Sequence, residues 1–97
     1  MRPVYVLGVG MNKFGKYVER SLKDLAYEPT LNAVHDSGIQ LKEIEMVFFG
    51  NAYAGLITGQ ESIRGQTVLR EVGLMGIPIF NIENACASGS SAFNLAI

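Results

Sequence analysis

Three short apolar runs, rich in β-branched and aromatic residues, divide the chain. They cover residues 4–10, 44–50 and 79–82; the first two end in glycine and the third follows a proline. Runs of this length and composition, bounded by turn residues, are typical of strands buried on both faces of a sheet. The pattern therefore predicts three strands.

A long helix is predicted between the first two strands. Ser21 and Asp24 fit a capping box, and apolar residues recur every three or four positions after it. Gly38 followed by Ile39 is a typical helix end. Pro29 lies within this stretch, so we expect either a kink there or a first turn that is a separate piece.

Two further helices follow. Thr58 and Glu61 fit a second capping box, and the helix that it opens ends at Gly73. Residues 51–59, which contain two glycines and small side chains, are predicted to form a loop. Residues 88–97 are small and apolar, with helical spacing, and form the last predicted helix.

The order of these elements predicts the fold class. Strand and helix alternate three times with short connections, which favours right-handed βαβ crossovers and an α/β fold. The βαβαβα arrangement gives a mostly parallel sheet covered by helices. Three strands make a thin sheet, and buried strands of this kind normally belong to a wider one. We therefore expect residues 1–97 to begin a larger domain.

Composition excludes several classes of protein. The chain has 97 residues, of which 48% are hydrophobic and 18% charged, and its net charge is -1. This length excludes two domains, and the high apolar content excludes disorder. The charge supplies neither a field for nucleic acid nor a basic patch for lipid, and no apolar run reaches the ~20 residues of a membrane span. We expect no nucleic-acid partner and no membrane span.

The single cysteine and the distribution of charge further limit the kinds of site, compartment and surface that the chain can have. Cys86 has no partner for an intrachain disulfide and cannot alone build a structural zinc site, so we expect no metal and a reducing, cytoplasmic compartment. Residues 72–97 contain one charged side chain, Glu83. A stretch so poor in charge is either the interior of something larger or a surface that a partner covers.

Three weaker motifs have simpler explanations. Gly8 and Gly10 follow a strand as in a dinucleotide-binding turn, but Lys13 stands at the third glycine position, which favours a turn that only ends the strand. His35, the only histidine, falls in the last turn of the first helix and is predicted to lie on the surface. Acidic residues interrupt a basic segment that we expect to be solvated; its members are Lys13, Lys16, Arg20 and Lys23.

Cys86 stands in a setting that suits a nucleophile. It follows a buried strand and precedes the last helix, which places the sulfur at a strand-to-helix turn near a helix N-terminus. Unpaired N–H groups and the helix dipole favour a thiolate there, and the small Ala85 and Ala87 leave room for a substrate carbonyl. The alternative is a free cysteine that packs as a small hydrophobe, because the chain offers no obvious base.

Three segments together carry a family resemblance. Residues 81–92 read NIENACASGSSA, residues 4–15 read VYVLGVGMNKFG, and residues 59–66 read GQESIRGQ. The first resembles the active-site cysteine segment of the thiolase superfamily, in particular its sterol carrier protein X or lipid-transfer type. The other two are similar to the first strand and loop of that branch and to the helix before the cysteine strand. The segments occur in the family's order, and the likeness covers essentially the whole chain.

The resemblance implies a five-layer α/β/α/β/α fold of two similar domains, with residues 1–97 as the first part of the N-terminal one. It implies Claisen condensation or thiolysis through a thioester on Cys86, with acyl-CoA and CoA as substrates and no tightly bound cofactor. Backbone N–H groups, including that of Cys86, would stabilise the oxyanion. An activating histidine and a second cysteine would lie beyond residue 97, and His35 matches neither position.

This implication leads to expectations about activity and partners. The chain alone is expected to be inactive, and its partners are expected to be further copies in a homo-oligomer or the remainder of a thiolase chain. Two alternatives stay open. The chain is a non-catalytic assembly or lipid-associated module whose partner surface is residues 72–97, or it is part of a sister condensing enzyme such as a ketoacyl synthase or a hydroxymethylglutaryl-CoA synthase. Residues 87–90 resemble the thiolases more closely.

Overall fold

The computed structural model describes residues 2–97, in which two parallel strands are packed among four helices. In chain order the elements are α1 (Leu22–Ser37), β1 (Val47–Gly50), α2 (Ala54–Thr58), α3 (Arg64–Leu69), β2 (Ile79–Ile82) and α4 (Ser88–Ala96), with short 3-10 helices at Leu41–Glu43 and Arg70–Val72. The two strands pair in register, with Val47 beside Ile79 and Gly50 beside Ile82. The structure confirms the α/β class and the parallel sheet.

Helices cover both faces of this sheet. Successive side chains of a strand point to opposite faces, so neighbouring residues of one strand contact different helices. On one face, α3 approaches so closely that a Cβ on Gly65 would lie 2.8 Å from side-chain atoms of both Ile79 and Phe49. On the other face, a Cβ on Gly50 would lie 2.8 Å from the carbonyl oxygen of Ser88 in α4. Glycine at these two positions sets the distance between each helix and the sheet, and Gly50 brings the start of α4 against the end of β1.

The core lies between α1, α3 and the sheet. Val68, Leu69 and Leu74 are buried at its centre. They contact partly buried apolar side chains from several elements, namely Leu22, Ala26, Leu41, Ile44, Val47, Phe49 and Ile77. On the opposite face of the sheet, the rings of Phe48 and Phe80 stack with centroids 5.3 Å apart. No large side chain among residues 2–97 is completely enclosed, so much apolar surface stays exposed.

The predicted ends of α1 are confirmed. The Ser21 hydroxyl accepts the N–H of Asp24 at 3.2 Å, and the Asp24 carboxylate accepts the N–H of Ser21 at 3.1 Å, which completes the capping box. The backbone and side-chain hydrogen bonds with Ser21 lower the pKa of the Asp24 carboxyl. At the other end Gly38 adopts a φ of 76°, and its N–H donates to the carbonyl of His35 at 3.2 Å.

Pro29 does not divide α1, which runs as one helix from Leu22 to Ser37. A proline has no N–H to donate to the carbonyl four residues earlier, which here is that of Leu25. The side-chain amide of Asn12 donates to this carbonyl instead. A residue of the N-terminal segment therefore replaces the hydrogen bond that Pro29 cannot make, and the predicted separation of the first turn is wrong.

Residues 4–10, predicted as the first strand, pair with no strand in the structure. They lie along α1, where a Cβ on Gly8 would overlap the carbonyl oxygen of Ala33 and one on Gly10 would overlap that of Pro29. The N–H of Val9 donates to the Asp36 carboxylate at 3.0 Å. A strand requires a neighbouring strand with free backbone groups, and the backbone nearest to this segment belongs to a helix. The two glycines allow a close approach to α1. They do not form a dinucleotide-binding turn, because no helix begins after them before Leu22.

Gly10→Ala is expected to push the N-terminal segment away from α1, because the new methyl group meets backbone rather than a movable side chain. We predict a loss of about 1–3 kcal/mol in the free energy of unfolding. Hydrogen exchange at the Val9 amide should also become faster. Urea unfolding and exchange mass spectrometry measure the two effects. Gly15→Ala is the control, since its Cβ would meet only the Tyr17 ring at 3.4 Å; equal losses in both variants would contradict the prediction.

The segment predicted as a loop at residues 51–59 contains the helix α2. Its first turn is held by Asn51, whose side-chain oxygen accepts the N–H of Ala54 at 2.8 Å. Its last residue is Thr58, whose hydroxyl donates to the carbonyl of Ala54 at 2.6 Å. Gly59 then ends the helix with a φ of 79°. The loop prediction failed because the short helix depends on local side-chain bonds rather than on apolar periodicity.

The second predicted capping box is also absent, because Thr58 closes α2 instead of opening the next helix. The following helix, α3, begins at Arg64, and Ile63 before it has a φ of 45°. The α-helix ends at Leu69, and the 3-10 helix Arg70–Val72 continues it to the predicted stop, where Gly73 adopts a φ of 101° and the N–H of Leu74 donates to the carbonyl of Leu69 at 3.3 Å. The prediction was thus right about the stop at Gly73 and wrong about the beginning of the helix.

Candidate active site

Cys86 lies in the short connection between β2 and α4, and it is exposed. The residue before it, Ala85, has a φ of 47°, a backbone angle that residues other than glycine rarely adopt. Ala87, with φ -97° and ψ 12°, is the cap residue of α4. The sharp turn at Ala85 therefore separates the strand from the helix and leaves the cysteine on the outside of the bend. The predicted strand-to-helix position of Cys86 is confirmed; the idea of a buried, purely packing cysteine is wrong.

Ser88 holds this turn closed. It is 5% exposed, the only buried polar residue among residues 2–97. Its hydroxyl accepts the N–H of Asn84 at 2.8 Å and donates to the carbonyl of Ala85 at 2.8 Å. One oxygen thus bonds the backbone on both sides of the strained peptide, which stabilises a conformation that would otherwise be costly.

Two further side chains support the same turn. The Glu83 carboxylate accepts the N–H of Ala85 at 2.6 Å, and the side-chain amide of Asn84 donates to the Ser91 hydroxyl at 2.9 Å in the first turns of α4. Glu83, the only charged residue after position 71, is therefore placed within the candidate site. Sequence reasoning missed the roles of Glu83, Asn84 and Ser88; the signal available was a serine four residues after an asparagine at a helix start, a pattern of local side-chain to backbone bonding.

The charge and the free space around the start of α4 bear on the reactivity of Cys86. The first turn of α4 carries no acidic side chain, but the Glu83 carboxylate accepts the N–H of Ala85 at 2.6 Å, one residue before Cys86. A Cβ on Gly89 would meet no atom within 4 Å, which shows open space above this turn. The small residues around the sulfur thus leave access for a substrate group, as predicted from the sequence.

A small polar cavity of about 120 Å³ lies at the carboxyl ends of the two strands, where ligands commonly bind in open α/β sheets. Its lining includes Asn51, Glu61, Arg64 and Glu83. The Arg64 guanidinium donates to the carbonyl of Asn51 at 3.1 Å. Glu83 connects the two features, since it lines the cavity and also bonds the turn at Ala85. The cysteine itself is not part of the lining.

The described residues do not bring a base to Cys86. His35 is exposed in the last turn of α1, as predicted, and forms no side-chain hydrogen bond within residues 2–97. Two of the four basic residues noted in the sequence have partners within the chain: Lys23 pairs with Glu71 at 3.7 Å, and Arg20 lies over the Tyr17 ring. Of the residues considered for chemistry from the sequence, only Cys86 lies at the turn before α4; Glu83, noted in the sequence only for its charge, bonds the same turn.

The described part of the chain lacks two further features. Within residues 2–97 no group of three or more His, Cys, Asp or Glu side chains lies together in a way that could hold a metal ion. No helix in this range combines the length and the apolar character needed to cross a bilayer.

Comparison with known proteins identifies the family. Residues 4–97 match the model of the thiolase N-terminal domain. The chain therefore belongs to the thiolase family. It is 42% identical over 97 residues to an acetyl-CoA acetyltransferase of Methanocaldococcus jannaschii, a match that covers 100% of this chain and 24% of the relative.

Other relatives show the breadth of the family. Sterol carrier protein 2 of Gallus gallus is 42% identical over 93 residues, covering 94% of this chain and 16% of that protein. The benzoylsuccinyl-CoA thiolase subunit BbsB of Thauera aromatica is 37% identical over 98 residues, covering 99% of this chain and 24% of the subunit. The chain thus spans about a quarter or less of the length of these relatives. The resemblance to thiolases and to the lipid-transfer type is confirmed.

Proposed function

We propose that Cys86 accepts the acyl group of an acyl-CoA as the first step of thiolase-type acyl transfer, either Claisen condensation or thiolysis. The observation that carries the proposal is the turn itself: an exposed sulfur stands between a strained Ala85 and the start of α4, in a bend that Ser88 bonds on both sides. Membership of a family whose relatives include acetyl-CoA acetyltransferases supports the substrate class.

The chemistry is a thiol exchange. The Cys86 sulfur attacks the thioester carbonyl carbon of acyl-CoA, and the carbonyl electron pair moves to oxygen. When the carbonyl re-forms, its bond to the CoA sulfur breaks, and the CoA thiolate takes up the proton that the cysteine lost. The N–H groups of Ala87 and Ser88 already donate to the carbonyls of Asn84 and Ala85, so the N–H groups of Cys86 and Gly89 are the donors proposed for the developing oxyanion. Cysteine suits this step because its thiolate is intrinsically a strong nucleophile.

The described residues supply the nucleophile but not the proton carriers. Activation of the thiol requires a base, and the one histidine of the chain lies on the surface of α1. We therefore propose that these 97 residues are the first part of a thiolase N-terminal domain and do not turn over substrate by themselves. The absence of a tightly bound cofactor and a cytoplasmic location stay predictions.

Acyl labelling tests the proposal. The chain is incubated with acetyl-CoA, both alone and together with a polypeptide carrying the remaining three quarters of the Methanocaldococcus jannaschii acetyltransferase. Peptide mass spectrometry is expected to find an acetyl group on Cys86, removable by hydroxylamine as a thioester is, and to a greater extent when the second polypeptide is present. Acetylation at another residue, or none in either sample, would sink the assignment.

A second candidate function is non-catalytic assembly. The observation in its favour is the apolar surface at the end of α4, where Phe93 and Ile97, four residues apart and so on the same side, are 61% and 52% exposed. Apolar side chains grouped in this way commonly mark a protein interface. A catalytic thiolase chain would contain the same exposed surface, so its exposure does not distinguish the two functions. Acylation of Cys86 distinguishes them.

A further inference from the structure

The backbone N–H groups at residues 84–88 differ in how they are used. Four of them donate hydrogen bonds within the turn before α4, namely those of Asn84, Ala85, Ala87 and Ser88. The N–H of Cys86 takes part in none of these bonds within residues 2–97. The turn therefore binds the amide donors around the cysteine and leaves out the one that the proposed function assigns to the oxyanion.

The direction of this N–H is set by the peptide group to which it belongs. The N–H of Cys86 and the carbonyl of Ala85 lie in one planar trans peptide, so they point in opposite directions. That carbonyl accepts the Ser88 hydroxyl at 2.8 Å and the Ser88 N–H at 3.2 Å. Because these two bonds hold the carbonyl, they also hold the direction in which the N–H of Cys86 points.

Glu83 holds the preceding peptide group, because its carboxylate accepts the N–H of Ala85 at 2.6 Å. The two peptide groups meet at Ala85, which has the rare φ of 47°. A backbone conformation of this kind persists only where its surroundings fix it from several sides. With Glu83 on one peptide group and Ser88 on the next, both planes that flank Ala85 are held. The direction of the Cys86 N–H therefore depends on both side chains.

We propose that Glu83 is a positioning residue for acyl transfer: by holding the N–H of Ala85, it keeps the N–H of Cys86 aimed at the oxygen of the carbonyl group that the sulfur attacks. The proposal rests on the part of the proposed function that makes Cys86 the acyl acceptor, and not on the recognition of CoA. The role requires a hydrogen-bond acceptor at the end of the side chain rather than a negative charge. A misplaced donor slows only reactions in which an oxyanion develops.

Two reactions of the same sulfur test this role. With p-nitrophenyl acetate, the Cys86 thiol loses its proton to solvent and the sulfur attacks the ester carbonyl carbon; the carbonyl electron pair moves to oxygen, and its return expels p-nitrophenolate. With iodoacetamide, the sulfur displaces iodide from the methylene carbon, and no oxyanion forms. Absorbance of p-nitrophenolate and peptide mass spectrometry give the two rate constants, after subtraction of the rates measured with Cys86→Ala. Their ratio reports on the oxyanion donor, because both reactions depend equally on the exposure and ionisation of the sulfur.

Glu83→Met and Glu83→Gln are the matched pair. Both remove the charge and keep a similar length, but only glutamine retains an oxygen that can accept the N–H of Ala85. Glu83→Met is expected to lower the acetylation rate at least about tenfold, a part of the 10²–10³-fold that complete loss of an oxyanion donor costs. Its alkylation rate should change less than about threefold, since water screens an exposed charge. Glu83→Gln should keep both rates within about threefold. Glu45→Met, which removes an exposed carboxylate at the amino end of β1, is the control and should alter neither rate by more than about twofold.

Circular dichroism and a cooperative urea transition verify that each variant is folded, and Glu83→Ala takes the place of Glu83→Met if the latter is not. Three results would overturn the proposal: an equal fall in both reactions, an unchanged acetylation rate in Glu83→Met, or a loss in Glu83→Gln as large as that in Glu83→Met. If the ratio changes as expected while acetyl-CoA leaves Cys86 unmodified, the positioning role stands and acyl-CoA is wrong as the substrate.

Discussion

Cys86→Ala is expected to abolish covalent acyl incorporation and to reduce any condensation or thiolysis by the reconstituted protein at least about 10³-fold. The thioester can form only on the sulfur, and no other cysteine exists in the chain to replace it. Radiolabelled acetyl-CoA measures incorporation, and a spectrophotometric thiolysis assay measures turnover.

The fold should survive this substitution, because an exposed side chain contributes little to stability. The free energy of unfolding, measured by urea denaturation, is therefore expected to change by no more than about 0.5 kcal/mol. Any complex with the complementary polypeptide should persist. Ser90→Ala, a change to an exposed residue four positions away, is the control and should keep full incorporation. Persistent acylation of Cys86→Ala would show that the nucleophile lies elsewhere. Loss of the complex would show that Cys86 serves assembly.

Ser88→Ala is expected to have the largest effect on stability of any single substitution in the cysteine turn. Removing the hydroxyl leaves the N–H of Asn84 without its partner in a partly buried place, while the carbonyl of Ala85 keeps the backbone N–H of residue 88 at 3.2 Å. One unsatisfied buried group costs about 1–3 kcal/mol, so we predict a loss of about 1–3 kcal/mol, which urea unfolding measures. Acylation of Cys86 should also slow, although the sulfur is still present, because the turn at Ala85 loses its clamp.

The control for Ser88→Ala is again Ser90→Ala. The Ser90 hydroxyl is exposed and makes one hydrogen bond, to the carbonyl of Ala87 at 3.1 Å, which water can replace. Its loss is expected to cost about 0.5 kcal/mol or less. If the two alanine variants were equally stable and equally reactive, the clamp would not be the reason that the turn holds its strained conformation.

The sequence predicts helix ends correctly where each end is determined by residues close to it in the chain. The capping box at Ser21 and the glycine at position 38 fix both ends of α1, because each acts within four residues. The end at Gly73 of the 3-10 helix that follows α3 is determined by the same kind of signal. Thr58 shows the limit: its sequence context fits a helix start, but its hydroxyl already bonds Ala54 behind it.

Non-local pairing could not be predicted from the same signals. Residues 4–10 have the composition of a strand, yet a strand also needs a neighbour, and the nearest backbone is that of α1. In the candidate site, the sequence placed Cys86 at the right turn because small residues and a helix start surround it. It did not indicate that Ala85 takes a positive φ or that Ser88 bonds both sides of the bend, since those facts depend on how the turn closes.

The hydrogen bond from Asn12 to the Leu25 carbonyl has a consequence for how the chain is made. Because synthesis proceeds from the N-terminus, Asn12 leaves the ribosome thirteen residues before Leu25. The substitute donor is thus already outside when the proline-containing turn of α1 forms. The middle turn of α1 is therefore completed by a segment that precedes it in time as well as in sequence.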